Sequence, residues 1–268
     1  MGVCVEKLTQ IARKRDESNK NYVYRVLYDN IMYFQLKPGT FINETEIAEQ
    51  LSVSRTPVRE AMSRLHIDHL LDVHPQRPTM VTLLDWNMIC EGVEIRRLIE
   101  SSVYQESAGY LKDEVILKLR DNLREQEHYL EINTPESMVR FQNLDLEFHR
   151  QIYYAVGREW SWNIVTRATQ HFMRYLYLDG NEAISALSYK HQQRMYRMHC
   201  TLLQALTDNT PFDFFKFNSQ HIFYYSESSG TDIAADSNSL IDQEMTAFSH
   251  FFVPATELTR KRILRLCN

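Results

Sequence analysis

The chain has 268 residues, 44% of them hydrophobic, and a formal net charge of −5 at pH 7. That is enough chain for two domains with real cores, it contains no run of 18 apolar residues that would span a membrane, and its mild acidity is not that of a protein basic all over. The charge is unevenly spread: residues 1–80 hold 11 Lys and Arg against 10 Asp and Glu, the remainder 19 against 25. Only 7 glycines favour helices over sheets. Four scattered cysteines (Cys4, Cys90, Cys200, Cys267) without a Cys-x-x-Cys pair suit reduced thiols. Met1 to Gln10 lacks an apolar core, so no signal peptide is expected and the expected location is the cytoplasm.

Residues 1–19 are expected to be an extension, and the first domain to run from 20 to 84. Within it, Asn43 is a good helix N-cap, followed by Glu44 and Glu46 at the positive end of the helix dipole. Ile47, Ala48 and Leu51 share one face, and Ser52-Val53 is a short turn. Ser54 is placed to cap the next helix, where Pro57 falls in a first turn whose N–H groups need no intrahelical partner. Val58, Met62 and Leu65 face a core, while Arg55, Thr56, Arg59 and Ser63 lie opposite. Leu70 to Met80 then forms a two-stranded wing. Helix, tight turn, helix and wing make a winged helix-turn-helix reader of double-stranded DNA, with Arg55 and Arg59 one turn apart and able to enter one groove. Arg64 and Arg77 are expected on the same face.

Leu36-Lys-Pro-Gly39, Asn43-Glu-Thr-Glu46, Val53-Ser-Arg-Thr-Pro-Val-Arg-Glu-Ala61 and Pro75-Gln-Arg-Pro-Thr79 resemble the GntR family of bacterial transcription regulators. The resemblance implies that Ser54, Arg55, Thr56 and Arg59 touch DNA and that a wing tip formed by Gln76 and Arg77 enters the minor groove. Thr45 stands where the family often has a DNA-contacting arginine, and His69, Gln76 and Pro78 stand where glycines are usual.

Beyond the wing, long helices are expected over Asp85–Tyr110, Asp113–Leu130, Thr134–Val156, Ser161–Leu178 and Ser188–Leu206, with a sixth running from Pro211 to Ser226. This is an all-α bundle of six or seven helices spanning residues 85–228. Residues 229–268 form a linker and a C-terminal extension with a basic end, to which no function attaches.

Asp145 and His149 share a helical face. His199 and His221 each lie about ten residues from the Asp208–Pro211 turn, so antiparallel packing brings them to one height at about 1.5 Å per residue. Three imidazoles and a carboxylate suit a divalent ion of zinc, nickel or manganese type. An ordinary surface pair and core histidines are the alternative. Asp145-Leu-Glu-Phe-His-Arg-Gln-Ile-Tyr153, with Gly157 beyond and this histidine spacing, resembles the ligand domain of the FadR-type subgroup. The resemblance implies a metal at the base of an effector cavity and a small carboxylate effector such as a sugar acid. Arg96 is the first choice to clamp that carboxylate and Arg174 the second, unless either makes only a structural ion pair. It also implies a homodimer on a short palindrome. Arg158 departs from the asparagine common after the glycine.

The expected function is therefore a DNA-binding regulator, not an enzyme, that senses a small acid through a metal-containing pocket. A metal-dependent hydrolase on the bundle is the rival, although Glu147 is expected to point away from the cluster. A metal-free constitutive DNA binder is the third reading.

Overall fold

The computed structural model describes residues 7–74, 77–182, 185–208, 211–222 and 249–267. Two compact units emerge, one of Met1–Trp86, Met173–Leu178 and Glu244–Ala255, the other of Asn87–Phe172, Asp179–Gln243 and Thr256–Asn268. Pro75 and Gln76, the latter expected at the wing tip, and the segment expected to be a linker lie outside the described residues.

The first unit is built on α1 (Asn19–Met32), α2 (Glu44–Gln50) and α3 (Arg55–Ile67). Val23, Val26, Leu27 and Ile31 of α1 are buried with Ile47 and Ala48 of α2 and Val58, Ala61, Met62 and Leu65 of α3. Asn43 caps α2 by accepting from the Thr45 N–H at 2.8 Å. Ser54 occupies the cap of α3 with extended backbone, but its hydroxyl makes no capping bond, contrary to the expectation. The turn between the helices is closed by Val53 N–H donating to Ala48 O, with Ser52 at φ 54°.

The two strands expected of the wing are present, and a third strand from before α2 joins their sheet. β1 (Phe41–Ile42), β2 (Leu71–Asp72) and β3 (Thr79–Val81) are ordered β1-β3-β2, both pairings antiparallel. β1 is too short to show alternation; it is held because Gly39 N–H donates to Val81 O and Val81 N–H to Thr40 O. His69, where a glycine is usual, adopts a left-handed φ of 58° at the exit from α3.

Two further segments complete this unit. Residues 7–18 are bound to the helices: Leu8 is buried and donates its N–H to Gln50, and Asn30 exchanges two hydrogen bonds with the Thr9 backbone. A 3-10 turn (Ser249–Phe251), continued by Phe252 and Val253, lies along Leu84. Leu84 donates to Phe251 O and accepts from Val253 N–H, while Phe252 stacks on Trp86 with ring centroids 4.9 Å apart.

The second unit holds most of α4 (Trp86–Ser107), then α5 (Asp113–Ile132), α6 (Pro135–Ala155), α7 (Glu159–Ala168), parts of α8 (Gln170–Glu182), α9 (Ser185–Asp208), α10 (Phe214–Ile222) and α11 (Glu257–Cys267). Thr134 starts α6 as expected, in a reciprocal capping box with Ser137 and with Pro135 at the first helical position. The helix expected over Ser161–Leu178 is instead two, parted at Thr169, whose N–H and hydroxyl both bond to Val165 O and so close the C-terminal turn of α7. A Cβ on Gly92 would lie 2.3 Å from the Ala168 carbonyl, so glycine permits α4 to approach the end of α7. Tyr104, Leu119, Phe148, Ile152, Tyr153, Leu202 and Leu206 form the core. α11 is tied to α4 by Thr259 and Arg262 on Asn87 and by Arg262 on Glu91.

Candidate DNA interface and metal centre

α3 buries its apolar face and leaves Arg55, Thr56, Arg59 and Ser63 exposed on the other. Ser54, Thr45 and Arg77 are exposed as well; Gln76 is outside the described residues. The two arginines converge on one carboxylate of α2: Glu44 Oε2 accepts from Arg59 Nε at 2.6 Å and lies 3.7 Å from Arg55 Nη2. Arg64, expected on the DNA face, lies over the Tyr24 ring at 3.8 Å, and the Tyr24 hydroxyl donates to Asp68 at 2.8 Å. Burial and that bond to Asp68 push the Tyr24 phenol above its ordinary range. All three arginines are exposed, Arg64 over the Tyr24 ring and Arg55 and Arg59 beside Glu44.

In the second unit Asp145 and His149 on α6, His199 on α9 and His221 on α10 come together, with one ligand atom from each all within 4.8 Å of one another. The three ring centroids lie 5.0–5.1 Å apart. All three histidines are buried. His149 Nδ1 is 2.6 Å from the Tyr104 hydroxyl, and His199 Nδ1 is 2.8 Å from Gln126 Oε1. The opposite nitrogens, His149 Nε2 and His199 Nε2, together with both ring nitrogens of His221, are buried without a hydrogen-bond partner. Asp145 Oδ1 approaches His199 Nε2 to 3.0 Å without forming an aligned hydrogen bond.

The electrostatics suit a cation. Burial and the nearby Arg96 hold His149 well below the usual imidazole range, and burial with His199 does the same for His221, so both are neutral lone-pair donors. Burial works against the Asp145 anion, but His199, His149 and Arg96 outweigh it and hold the carboxyl well below its usual range. A buried set of three imidazoles and one ionised carboxylate, with several nitrogens unpartnered, is costly unless something binds there. The residues present therefore fit a divalent ion.

Arg96 belongs beside this cluster. Its Nε donates to Glu100 at 2.8 Å, its Nη2 is buried without a partner, and its charge acts on Asp145 and His149. Arg174 is not grouped with the ligands. It lies in the first unit, fully buried, and donates to the Thr82 carbonyl at 2.8 Å and hydroxyl at 3.0 Å. Burial alone lowers its pKa to about 9. Glu147 is held by Arg150 at 2.6 and 2.7 Å and by Gln151. Arg158 pairs with Glu106. Burial pushes the Cys200 thiol up, as expected of a filler rather than a reactive group. Sequence reading missed Tyr104, Asn122 and Gln126. Their signal is polar residues four apart, Asn122 and Gln126, on the buried face of α5 that carries Leu119, Leu123 and Leu130.

A winged reader joined to a helical domain is the layout of a two-domain DNA-binding regulator. Residues 19–81 match the family described as bacterial regulatory proteins, gntR family, and residues 91–221 match the FCD domain. The chain belongs to the GntR family of transcriptional regulators. It is 26% identical over 208 residues to the HTH-type transcriptional repressor RspR of Escherichia coli (strain K12), across 77% of this chain and 86% of that protein. It is 33% identical over 121 residues to an uncharacterized HTH-type transcriptional regulator in the TAR-I ttuE-ttuC' intergenic region of Agrobacterium vitis, across 43% of this chain and 71% of that protein. The solved structure of E. coli McbR/YncC shares the fold with a TM-score of 0.61 at 22% identity, over 77% of this chain and 96% of that one. Among the described residues, no helix is long and apolar enough to cross a membrane.

Proposed function

We propose that the chain is a homodimeric, metal-containing sensor of a small organic acid, such as a sugar acid, that binds a palindromic DNA operator. The proposed domains are a reader at 20–84 and an effector domain at 85–228. The observation that carries this reading is the buried set Asp145, His149, His199 and His221, with unpartnered nitrogens beside Arg96. A divalent ion there would offer open coordination positions to an effector carboxylate. Arg96 then supplies the second anchor, because its free Nη2 can donate to that carboxylate without leaving Glu100. Ser54, Arg55, Thr56, Arg59, Thr45, Gln76 and Arg77 form the DNA-contacting set. Leu98 and Ile95 on α4 and Ile164 on α7 leave exposed apolar surface that a second copy can cover. Repression is the proposed direction of control, after the name of RspR. Against hydrolysis, Glu147 is not free to act as a general base, because it is held by Arg150.

The experiment is metal analysis of the purified protein together with selection of genomic DNA fragments at fixed salt. About one divalent ion per chain, lost in His199→Ala without loss of helix content, and selective DNA binding are expected. Selective binding with no ion, and no affinity for added zinc, nickel or manganese, would leave a constitutive reader and remove the sensor.

A further inference from the structure

Behind His199 runs a chain of buried side-chain amides. Asn122 Nδ2 donates to the Leu144 carbonyl at 3.0 Å. Gln126 Nε2 donates to Asn122 Oδ1 at 2.7 Å, and Gln126 Oε1 faces His199 Nδ1 at 2.8 Å. Gln126 and His199 are fully buried and Asn122 is nearly so, so bulk water does not compete for these bonds. The direction of every bond is set from one end. A backbone carbonyl only accepts, so the Asn122 nitrogen must face Leu144 and its oxygen must face Gln126. Gln126 must then turn its nitrogen to Asn122 and its oxygen to His199. An oxygen acceptor at Nδ1 requires the His199 proton to sit on Nδ1, which leaves the lone pair on Nε2.

This direction matters because a competitor stands on the other side of the ring. Asp145 Oδ1 lies 3.0 Å from His199 Nε2 and favours a proton there, which would turn a ligand nitrogen into a donor. We infer that Asn122 and Gln126 are positioning residues that hold His199 in the Nδ1–H tautomer against Asp145, so that Nε2 is presented to a divalent ion. The inference rests on the proposed metal site. The chain of amides also ties the helices that carry ligands, since Leu144 is the peptide neighbour of Asp145 on α6, the amides lie on α5 and His199 on α9. His221, with both ring nitrogens unpartnered, has no such guide.

The test uses the full chain freed of metal, with 15N-labelled histidine, at a pH where imidazoles are neutral. The His199 signals are assigned by their loss in His199→Asn. In the wild type, His199 Nδ1 should have the shift of a protonated ring nitrogen and Nε2 that of an unprotonated one. In Gln126→Leu the pattern should reverse or become mixed, and in Gln126→Glu, which keeps the acceptor, it should persist. Competition with a chromophoric chelator should show zinc affinity about 10–100-fold weaker in Gln126→Leu and largely restored in Gln126→Glu. If Gln126→Leu does not fold, Asn122→Leu, which lets the Gln126 amide turn over, should show the mixed tautomer and an intermediate affinity. A wild-type protein with the proton on Nε2, or Gln126→Leu binding zinc as tightly as the wild type, overturns the inference and leaves the metal site standing. A wild type that binds no zinc, nickel or manganese at all removes the metal reading, and the inference with it.

Discussion

Among single side chains, Arg59 is one whose proposed DNA contact competes with a bond inside the free protein. In the free protein it donates to Glu44 at 2.6 Å, and Arg55 leans on the same carboxylate at 3.7 Å. An exposed pair of this kind contributes little to stability. DNA can therefore compete for the guanidinium, since bidentate bonds to guanine or phosphate are stronger than a solvated ion pair. Arg59→Ala should weaken operator binding by about 1–3 kcal/mol if Arg59 reads a base. It also leaves Glu44 without its nearest cation. Fluorescence anisotropy on a selected operator at fixed salt measures the loss, and unchanged affinity would place Arg59 outside the interface.

The structural elements that were legible in the sequence share a property: their signals are local. Asn43, Thr134 and Pro135 announce helix starts because capping involves neighbours within three residues, and the buried stripe of α3 repeats within one helix. What was not legible depends on distant partners or on ambiguous residues. β1 exists only because β3 lies beside it. The break between α7 and α8 falls at Thr169 without proline or glycine to mark it. Phe251 and Phe252 look like any apolar pair until Leu84 and Trp86 are placed next to them. The four candidate ligands could be picked out by residue type and helical spacing, but the amides behind His199 could not, since their role is visible only across three helices.

The segment before α1 gives a prediction of the same kind. Arg25 grips Glu17 with two bonds of 2.7 and 2.9 Å and also donates to Ala12 O, fastening residues 12–17 to the helix. The bond to Arg25 lowers the Glu17 pKa from 4.5 to about 2. A carboxyl depressed in the folded state adds stability above its unfolded pKa and loses it as pH falls through the folded one. This contribution should be intact above about pH 5 and fade toward pH 2. Glu17→Gln, which cannot ionise, should be less stable than wild type at neutral pH and converge with it in acid. Thermal melts of both proteins across this range test it, and a constant gap between the two would mean that Glu17 carries no pH-linked stability.

In the proposed homodimer, control of transcription belongs to the pair of readers rather than to one. A reader with 11 basic against 10 acidic residues in its first 80 has little charge with which to hold DNA alone. Each phosphate neutralised adds about −0.9 to the slope of log K against log salt, so a few exposed arginines per chain imply a shallow dependence and weak binding for one reader. Two readers on one palindrome double the phosphate contacts. An effector then need only favour a dimer whose readers no longer match the half-site spacing, and the shift cannot exceed its differential affinity for the two arrangements. Titrations of the full chain against the intact operator and against a single half-site, over a range of salt, test this directly. The intact operator should bind orders of magnitude more tightly and with about twice the slope. Equal slopes on the two DNAs would mean that only one reader engages at a time, and effector control would then have to act within a single chain rather than through the spacing of two.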